Sequence, residues 1–315
     1  MDIELFQRAF DKRKKLYQLT NAVRLVNGNG DSLPGITLDQ YNRHFLIQLY
    51  DSRWYSVLDQ ITNFLSRGFD LEYLILKDRT STNPRSLDSP KTVVLSNHTD
   101  PKTQVIENEI TFGVDLNDGV HSGLFLDMRK NRHLVSSLSK NKSVLNCFSY
   151  TCSFGAYCRK SGASRVVNVD ISRKVLQKGK ENYALNHLPS EKNEFILEDC
   201  EDYLLKAIKK KNYFDIVILD PPTFSRYNNR TFSLKKEFPR LITAALQILN
   251  PTGCLFLATN CYEISISHLH NFVKKVLVNT RLKVKSALPL GQDSDFPVSG
   301  QMKESHLAAL LVKFI

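Results

Sequence analysis

The sequence predicts an α/β fold: a doubly wound, mostly parallel sheet of seven strands with an antiparallel last strand, preceded by a small N-terminal α+β domain. Three observations predict it. From about residue 143, short β-branched or aromatic runs alternate with longer stretches of helical period, the grammar of βαβ units. The last two runs, LKVKSALPL near 282 and HLAALLVKFI at the end, follow a helix candidate with only a loop between them, so they must pair antiparallel or lie apart. The first 115 residues have a different rhythm, with several β-like runs around one helical stretch.

In the second region the apolar runs are SVLNCFS ending near 149, RVVNVD ending at 170, EFILED ending at 199, FDIVILD ending at 220 and CLFLATN ending at 260. Helices are expected over 172 to 186, over 234 to 249 with a start or kink at Pro239, and in HLHNFVKKVL. In the first region RLVNGNGDSLPGITLDQY predicts strand, Gly/Asn/Pro turn and strand, and HFLIQLY and LEYLILK continue the β character. WYSVLDQITNFLSRG between them is a helix candidate, and LFQRAFDKRKKLY at the start has helical spacing with a basic face. The expected divisions are therefore a basic N-terminal helix over 1–20, an α+β domain over 21–115 and the large α/β domain over 116–315, with a linker around 96 to 104. At 315 residues two domains of about 150 each are a natural count.

With 42% hydrophobic and 24% charged residues the chain has an ordinary globular composition, which excludes a disordered or collagen-like protein. No apolar run approaches the roughly 20 residues that span a bilayer, and no apolar signal stretch opens the chain, so a cytoplasmic setting is expected. The six cysteines include no pair with zinc-knuckle spacing, so no metal is expected. A formal net charge of +11 favours a polyanionic partner through counterion release, with a merely solubilising surface as the other reading.

Ligands of an open parallel sheet bind beyond the carboxyl ends of its strands, so the first polar residue after each run is informative. Those residues are Asn146 with Ser149, Asp170, Asp199, Asp220 and Asn260. Any one such Asp could be a helix cap or turn residue. Five successive strands delivering acids or amides to one edge is more than a structural sheet requires. Asp170 lies 24 positions after Asn146, near the roughly 20-residue offset at which an acid accepts from ribose hydroxyls, so a nucleoside cofactor is implied. The loop Ser149-Tyr150-Thr151-Cys152-Ser153-Phe154-Gly155 has no G-x-G-x-x-G, which disfavours a pyrophosphate and hence a nicotinamide oxidoreductase. S-adenosylmethionine fits, with the ribose at Asp170, the adenine amine within reach of Asp199 and the sulfonium near Asp220.

Asp220-Pro221-Pro222-Thr223-Phe224 is the sharpest local motif. Its prolines stiffen the loop and remove two N–H donors, leaving carbonyls and a carboxylate to accept from a base while Phe224 stacks on the ring. The plainer reading is a rigid exit from a strand with a core Phe.

The segments RLVNGNGDSLPGITLDQY, SGLFLDMRKNR (122 to 132), VLNCFSYTCSFG, VVNVDIS, ENYALNHL and LDPPTFSR together resemble the bacterial large-subunit (23S) ribosomal RNA base methyltransferases, the cytosine-C5 enzymes and the related guanine-modifying ones, from residue 20 to the end. The resemblance implies the class I methyltransferase (Rossmann-like) fold and S-adenosyl-L-methionine as cofactor. It also implies a cofactor site made by Phe125, Asp127 and Arg129, by Asn146, Ser149, Tyr150 and Thr151, by Asp170 with Ile171, by Asp199 with Cys200, and by Asp220. The partner it implies is large-subunit ribosomal RNA.

The sequence departs from that family in three places. There is no room ahead of residue 20 for the small RNA-binding PUA module of the cytosine enzymes, so RNA docking is expected on the basic N-terminal helix and on Lys77 and Arg79. Cys152-Ser153 stands where Gly-Gly is usual, which should crowd the cofactor and could weaken its binding. Third, Asn260 occupies the position of the catalytic cysteine and Cys261 follows one residue later, where a one-residue slip turns the side chain to the other face. Cytosine C5 needs a thiolate, whereas guanine N7 or N2 does not. The expectation is therefore non-covalent guanine methylation involving Asp220, Pro221, Pro222, Phe224 and Asn260, with Cys261 as nucleophile if the base is cytosine. The alternative is an RNA-binding ribosome assembly factor that keeps the fold with weak catalysis.

Overall fold

The computed structural model describes residues 3–80, 90–96, 100–119, 121–227, 230–278, 280–299 and 307–315. Part of the linker expected at 96 to 104 lies outside these residues. The chain forms two compact units, Met1–Arg129 with Gln292–Lys303, and Lys130–Gly291 with Glu304–Ile315. The expected boundary at 115/116 thus moves to Arg129/Lys130, and a stretch late in the chain returns to the first unit. Local periodicity cannot reveal such a return.

The first unit opens with α1 (Ile3–Arg13), extended by a 3-10 turn over Lys14–Gln18. Five strands then form one sheet in sequence order: β1 (Ala22–Asn27), β2 (Ile36–Tyr41), β3 (His44–Leu49), β4 (Tyr73–Asp78) and β5 (Lys91–Val94). Helix α2 (Leu58–Gly68) lies between β3 and β4 in the chain and makes their parallel pairing possible. Strands β6 (Lys102–Glu107) and β7 (Ile110–Asp115) form a hairpin. Phe6, Ala9 and Phe10 of α1, spaced on one helical face, pack with Trp54, Ile61 and Leu65 over the sheet's apolar side. The expected basic helix is thus an amphipathic core element.

The second unit is the predicted doubly wound sheet. After α3 (Arg129–Ser137) come β8 (Ser143–Cys147), α4 (Ser153–Lys160), β9 (Arg165–Asp170), α5 (Arg173–Leu185), β10 (Phe195–Leu197), α6 (Cys200–Lys209) and β11 (Phe214–Leu219). A hairpin of β12 (Phe224–Tyr227) and β13 (Arg230–Ser233) leads into α7 (Leu234–Gln247), which runs through Pro239 instead of starting there. Then follow β14 (Leu249–Thr259), α8 (Ile266–Leu277), β15 (Val284–Leu290) and β16 (Ala308–Phe314). The strand order is β10-β9-β8-β11-β14-β16-β15, parallel through β14, with β16 inserted antiparallel between β14 and β15. The chain therefore reverses direction across β8, between β9 and β11, which is the switch point where such sheets bind ligands. Val, Ile and Leu of the central strands are buried with α6, α7 and α8 in one apolar cluster.

Candidate active site

Registers of the second unit bring the expected residues to one edge. Leu197 pairs with Asp170, Cys147 with Val169, Leu219 with Cys147 and Leu257 with Leu219, so the strands end nearly level. Ser149, Tyr150, Thr151, Asp170, Ile171, Asp199, Asp220 and Asn260 leave that edge on adjacent connections.

The loop after β8 is tightly wound. Phe148, Tyr150 and Cys152 all have left-handed backbone, with φ of 56°, 49° and 59°. That conformation costs a non-glycine residue about 1–2 kcal/mol, so something must hold the loop. Ser149 N–H donates to Val169 O at 3.0 Å, and Cys152 N–H donates to Ser149 O at 2.8 Å. Tyr150 N–H donates to Asp170 Oδ2 at 2.9 Å. Phe148 N–H reaches the buried Cys200 Sγ at 3.0 Å. From below, Asn182 Nδ2 of α5 donates to Thr151 O at 3.0 Å. Backbone strain maintained by this many bonds is a mark of a functional loop.

Asp170 organises two connections at once, because its Oδ1 accepts Ser172 N–H at 2.9 Å while Oδ2 holds Tyr150. Burial pushes its carboxyl above the usual range, and these N–H donors pull it back. Asp199 is a helix cap: its Oδ1 accepts Glu201 N–H at 2.9 Å and Asp202 N–H at 3.1 Å at the start of α6. Cap and ligand group are compatible roles for a carboxylate with two oxygens. Asn146 and Cys200, by contrast, are buried supports. Asn146 Nδ2 donates to Asn168 Oδ1 at 2.9 Å, and Asn168 Nδ2 reaches Tyr183 Oη at 3.1 Å. Their side chains carry the loop from underneath.

The expected crowding by Cys152 is also corrected. Its side chain is fully buried and turned against α5, where a Cβ on Gly179 would lie 2.4 Å from Cys152 Sγ. The missing side chain at 179 makes room for the added one at 152. Gly155 has the same relation to the amide network, since a Cβ there would fall 2.2 Å from Asn168 Oδ1.

At the other side of the edge, Pro221 is buried while Pro222, Thr223 and Phe224 are exposed, Phe224 to 40%. Phe224 is thus no core residue. Thr223 Oγ1 donates to Asn260 Oδ1 at 3.0 Å, tying the Asp-Pro-Pro loop to the end of β14. Cys261 behaves differently: its N–H donates to Thr259 Oγ1 at 3.0 Å and its half-buried side chain packs against the apolar cluster.

Phe125, Asp127 and Arg129 belong to the first unit. Arg129 is buried, with Nη2 donating to Asp295 Oδ2 at 2.7 Å and to Ala22 O at 3.4 Å and Nη1 3.4 Å from Asp293 Oδ2, so it clamps this unit instead of facing a ligand. Lys77 corrects the expectation of an RNA contact: it is 1% exposed, its Nζ donates to Gly119 O at 2.7 Å, and burial pushes its ammonium down to about 8. Arg79 donates from Nε to Gln48 Oε1 at 2.8 Å. Both cations lie close enough to His121 to depress its basicity, after desolvation, and the His121 ring sits 4.9 Å from Phe125. They therefore gather around the 121–127 segment and not on an outer RNA-facing surface. Sequence reading missed Asn168, Asn182, Tyr183, Gly155 and Gly179. The segment ENYALNHL is the signal for two of them, but periodicity assigns it only to a helix.

Among the described residues no group of three His, Cys, Asp or Glu could hold a metal, and no helix is long and apolar enough to cross a membrane. Comparison with known proteins matches residues 74–277 to the S-adenosylmethionine-dependent methyltransferase family model. YwbD of Bacillus subtilis (strain 168), provisionally named a ribosomal RNA large subunit methyltransferase, is 32% identical over 94% of this chain and 77% of its own length. Ribosomal RNA large subunit methyltransferase I of Photobacterium profundum is 31% identical over 89% of this chain and 71% of its own. The crystal structure of SMU.776, provisionally a methyltransferase and complexed with SAH, superposes with a TM-score of 0.88 at 30% identity, covering 99% of this chain and 80% of that one.

Proposed function

The chain belongs to the S-adenosylmethionine-dependent methyltransferases, in their bacterial large-subunit ribosomal RNA group, and from that premise we propose that it methylates a guanine of large-subunit ribosomal RNA at N7 or N2 without a covalent enzyme–base adduct. The observation that carries the choice of chemistry is the division at the end of β14: Asn260 reaches the Asp-Pro-Pro loop through Thr223, while Cys261 is turned into the apolar cluster.

The donor set fits the cofactor. Carboxylates at Asp170, Asp199 and Asp220 suit a cationic nucleoside without phosphates, and the loop after β8 has no pyrophosphate cradle. Bound S-adenosylmethionine supplies an electrophilic methyl group on a positively charged sulfur. Asp170, fixed by two backbone N–H donors, would accept from ribose hydroxyls, with Ile171 beside it. Asp199 would meet the adenine amine through Oδ2, since Oδ1 caps α6. Ser149, Tyr150 and Thr151 would line the methionine side. Asp220 would stabilise the sulfonium's positive charge by Coulomb attraction. The Pro221-Pro222 carbonyls and the Asp220 carboxylate would accept from the base's amino group and Phe224 would offer an exposed ring for stacking; the guanine nitrogen's lone pair would form the new N–CH3 bond as the S–CH3 bond breaks, leaving S-adenosylhomocysteine, with the proton of an N2 amine passing to Asp220. The proposed setting is the cytoplasm, where undermodified ribosomal RNA is found.

Incubation with undermodified large-subunit ribosomal RNA and methyl-labelled cofactor should transfer label, and mass spectrometry of the product should place it on guanine. Cys261→Ala should retain activity within about threefold of the original. A loss on the order of a thousandfold, with label on cytosine C5, would replace this chemistry with thiolate catalysis.

A further inference from the structure

Among the described residues, the edge opposite the candidate site carries a row of exposed lysines. Strands β8, β9 and β11 begin there, β16 ends there and β15 begins there, as the pairs Ser143 with Arg165, Ile216 with Val144, Cys254 with Lys313 and Val284 with Phe314 require. Lys140 and Lys142 lie in the exposed turn before β8, whose Lys142 O accepts Ser164 N–H at 3.0 Å. Lys210 and Lys211 are exposed at the end of α6, joined to the start of β9 by Arg165 Nη1 donating to Asn212 Oδ1 at 2.8 Å. Lys283 and Lys285 are exposed at the start of β15, where Lys283 O accepts Ile315 N–H at 3.0 Å.

One acid stands among these lysines: Asp215 accepts from Ser143 N–H and Asn250 Nδ2, at 2.8 and 2.9 Å, and the Lys142 charge helps hold its carboxyl low, so Lys142 is countered in part, while Glu191 and Glu194 pair with Arg159. Lysines at helix ends can be explained by the helix dipole, which favours cations at C-termini. That accounts for Lys210 and Lys211. It does not account for Lys140, Lys142, Lys283 and Lys285, which sit on a turn and a strand. From β8 to β15 the edge crosses four strand spacings, about 19 Å, a span that phosphates along an RNA backbone can follow. Exposed Tyr213, between this lysine group and β11, adds an aromatic face for an unpaired base.

We propose that the rim formed by Lys140, Lys142, Lys210, Lys211, Lys283 and Lys285 is an RNA-docking surface that grips the phosphate backbone at a distance from the methylated nucleotide. The inference rests on ribosomal RNA being the substrate. Strand β9 is six residues long, so rim and site lie roughly 20 Å apart along the strands, and the RNA that touches both must be folded or long. Phosphate contacts of this kind position the RNA and carry no base information.

The test is filter binding of an unmodified large-subunit ribosomal RNA transcript across a salt series. The variant Lys140→Ala/Lys142→Ala/Lys283→Ala/Lys285→Ala is compared with the original and with a control that removes four scattered cations, Arg67→Ala/Lys91→Ala/Lys130→Ala/Lys192→Ala. The rim variant should lose at least about tenfold in affinity near 100 mM salt, and its salt slope should fall by roughly 3 to 4, since each phosphate contact contributes about 0.7 on a single strand and about 0.9 on a duplex. The control should stay within about twofold. Calorimetry with S-adenosylmethionine verifies that each variant is folded, and the pairs Lys140/Lys142 and Lys283/Lys285 are made separately if the fourfold variant is not. Unchanged affinity and slope in the rim variant, or equal losses in both, would overturn the proposal. If the original protein neither binds nor methylates the transcript, the ribosomal RNA reading has failed as well; if it does both while the rim variant matches it, only the rim is lost.

Discussion

The two units solve the burial of polar groups in opposite ways. The first threads charges through its interior. Arg13, fully buried, makes a bidentate pair with Asp31 at 2.7 and 2.6 Å and also donates to Asp295 O. Arg24 forms a second bidentate pair with Asp39, its Cζ stands 4.8 Å over the Phe296 ring, and Arg129 grips Asp295. In the second unit the polar groups under the candidate site are amides and a phenol, Asn146, Asn168, Asn182 and Tyr183. A buried ion pair holds one geometry firmly because breaking it leaves a stranded charge, and a satisfied amide network holds one too without a buried charge. The first design suits a unit that must capture a distant segment, Gln292–Lys303, and the second suits a loop that must present backbone to a ligand.

The units also carry separate reporters. The single tryptophan, Trp54, lies in the first unit's core, and all six cysteines lie in the second. Arg13→Ala removes the cation from Asp31 and should cost about 3–5 kcal/mol, the range for breaking a buried pair from one side. Urea unfolding followed by Trp54 fluorescence should show the midpoint falling accordingly. Cysteine labelling without denaturant should change little. An unaltered Trp54 transition would mean that the first unit does not depend on its internal charges.

Gly155→Ala is the corresponding break in the second unit. The new methyl would enter the space of Asn168 Oδ1 and Tyr183 Oη, at 2.2 and 2.8 Å, and overpacking of this sort costs about 1–3 kcal/mol. Thiol labelling of the buried Cys152 and Cys158 should accelerate, with Trp54 emission unmoved. Gly179→Ala should act on the same loop through Cys152, raising the KM for S-adenosylmethionine several-fold. Adding Cys152→Gly should recover most of that loss, because the two positions share one space. Double-mutant coupling of about 1 kcal/mol or more is expected between them, and additive effects would show that their side chains do not meet.

Legibility in the sequence differs between the units for the same physical reason. In the second unit the apolar runs, their polar endings and the antiparallel pair at the C-terminus are readable because the central strands are mostly apolar and buried along their length and meet polar residues at their ends. Phe224, for which the sequence leaves stacking and core readings open, is exposed. In the first unit the strands and helices are readable but the roles of cations are not, because an arginine or lysine in a sequence reads as solvent-facing. Lys77 and Arg129 are therefore assigned to ligands they do not face, and Arg13 is counted in a basic surface. Nor can any local pattern show that Asp295 returns to the first unit, since its partner Arg129 stands 166 positions before it. Gly179 is invisible for a related reason: its meaning depends on a cysteine in another element.

The smallest expected effect sharpens the contrast through pH. Asp295 is fully buried, and desolvation raises its carboxyl to about 6 in spite of the Arg129 charge beside it. A carboxyl whose folded value lies above its unfolded one binds its proton more tightly in the native state, so this group's stabilisation is full at low pH and is lost as pH rises through about 6. Between about pH 5 and 7.5 the loss should amount to roughly 1 kcal/mol, taking 1.36 kcal/mol per pKa unit as the upper scale. Asp295→Asn has no proton to release, so the stability difference between original and variant should shift in favour of the variant as pH rises across that window. The readout is again the Trp54 transition, which belongs to the unit that holds Asp295. A difference that is flat from pH 5 to 7.5 would mean that Asp295 is already ionised throughout, held by Arg129 more strongly than burial opposes it, and the first unit's interior would then be a fully charged one at every physiological pH.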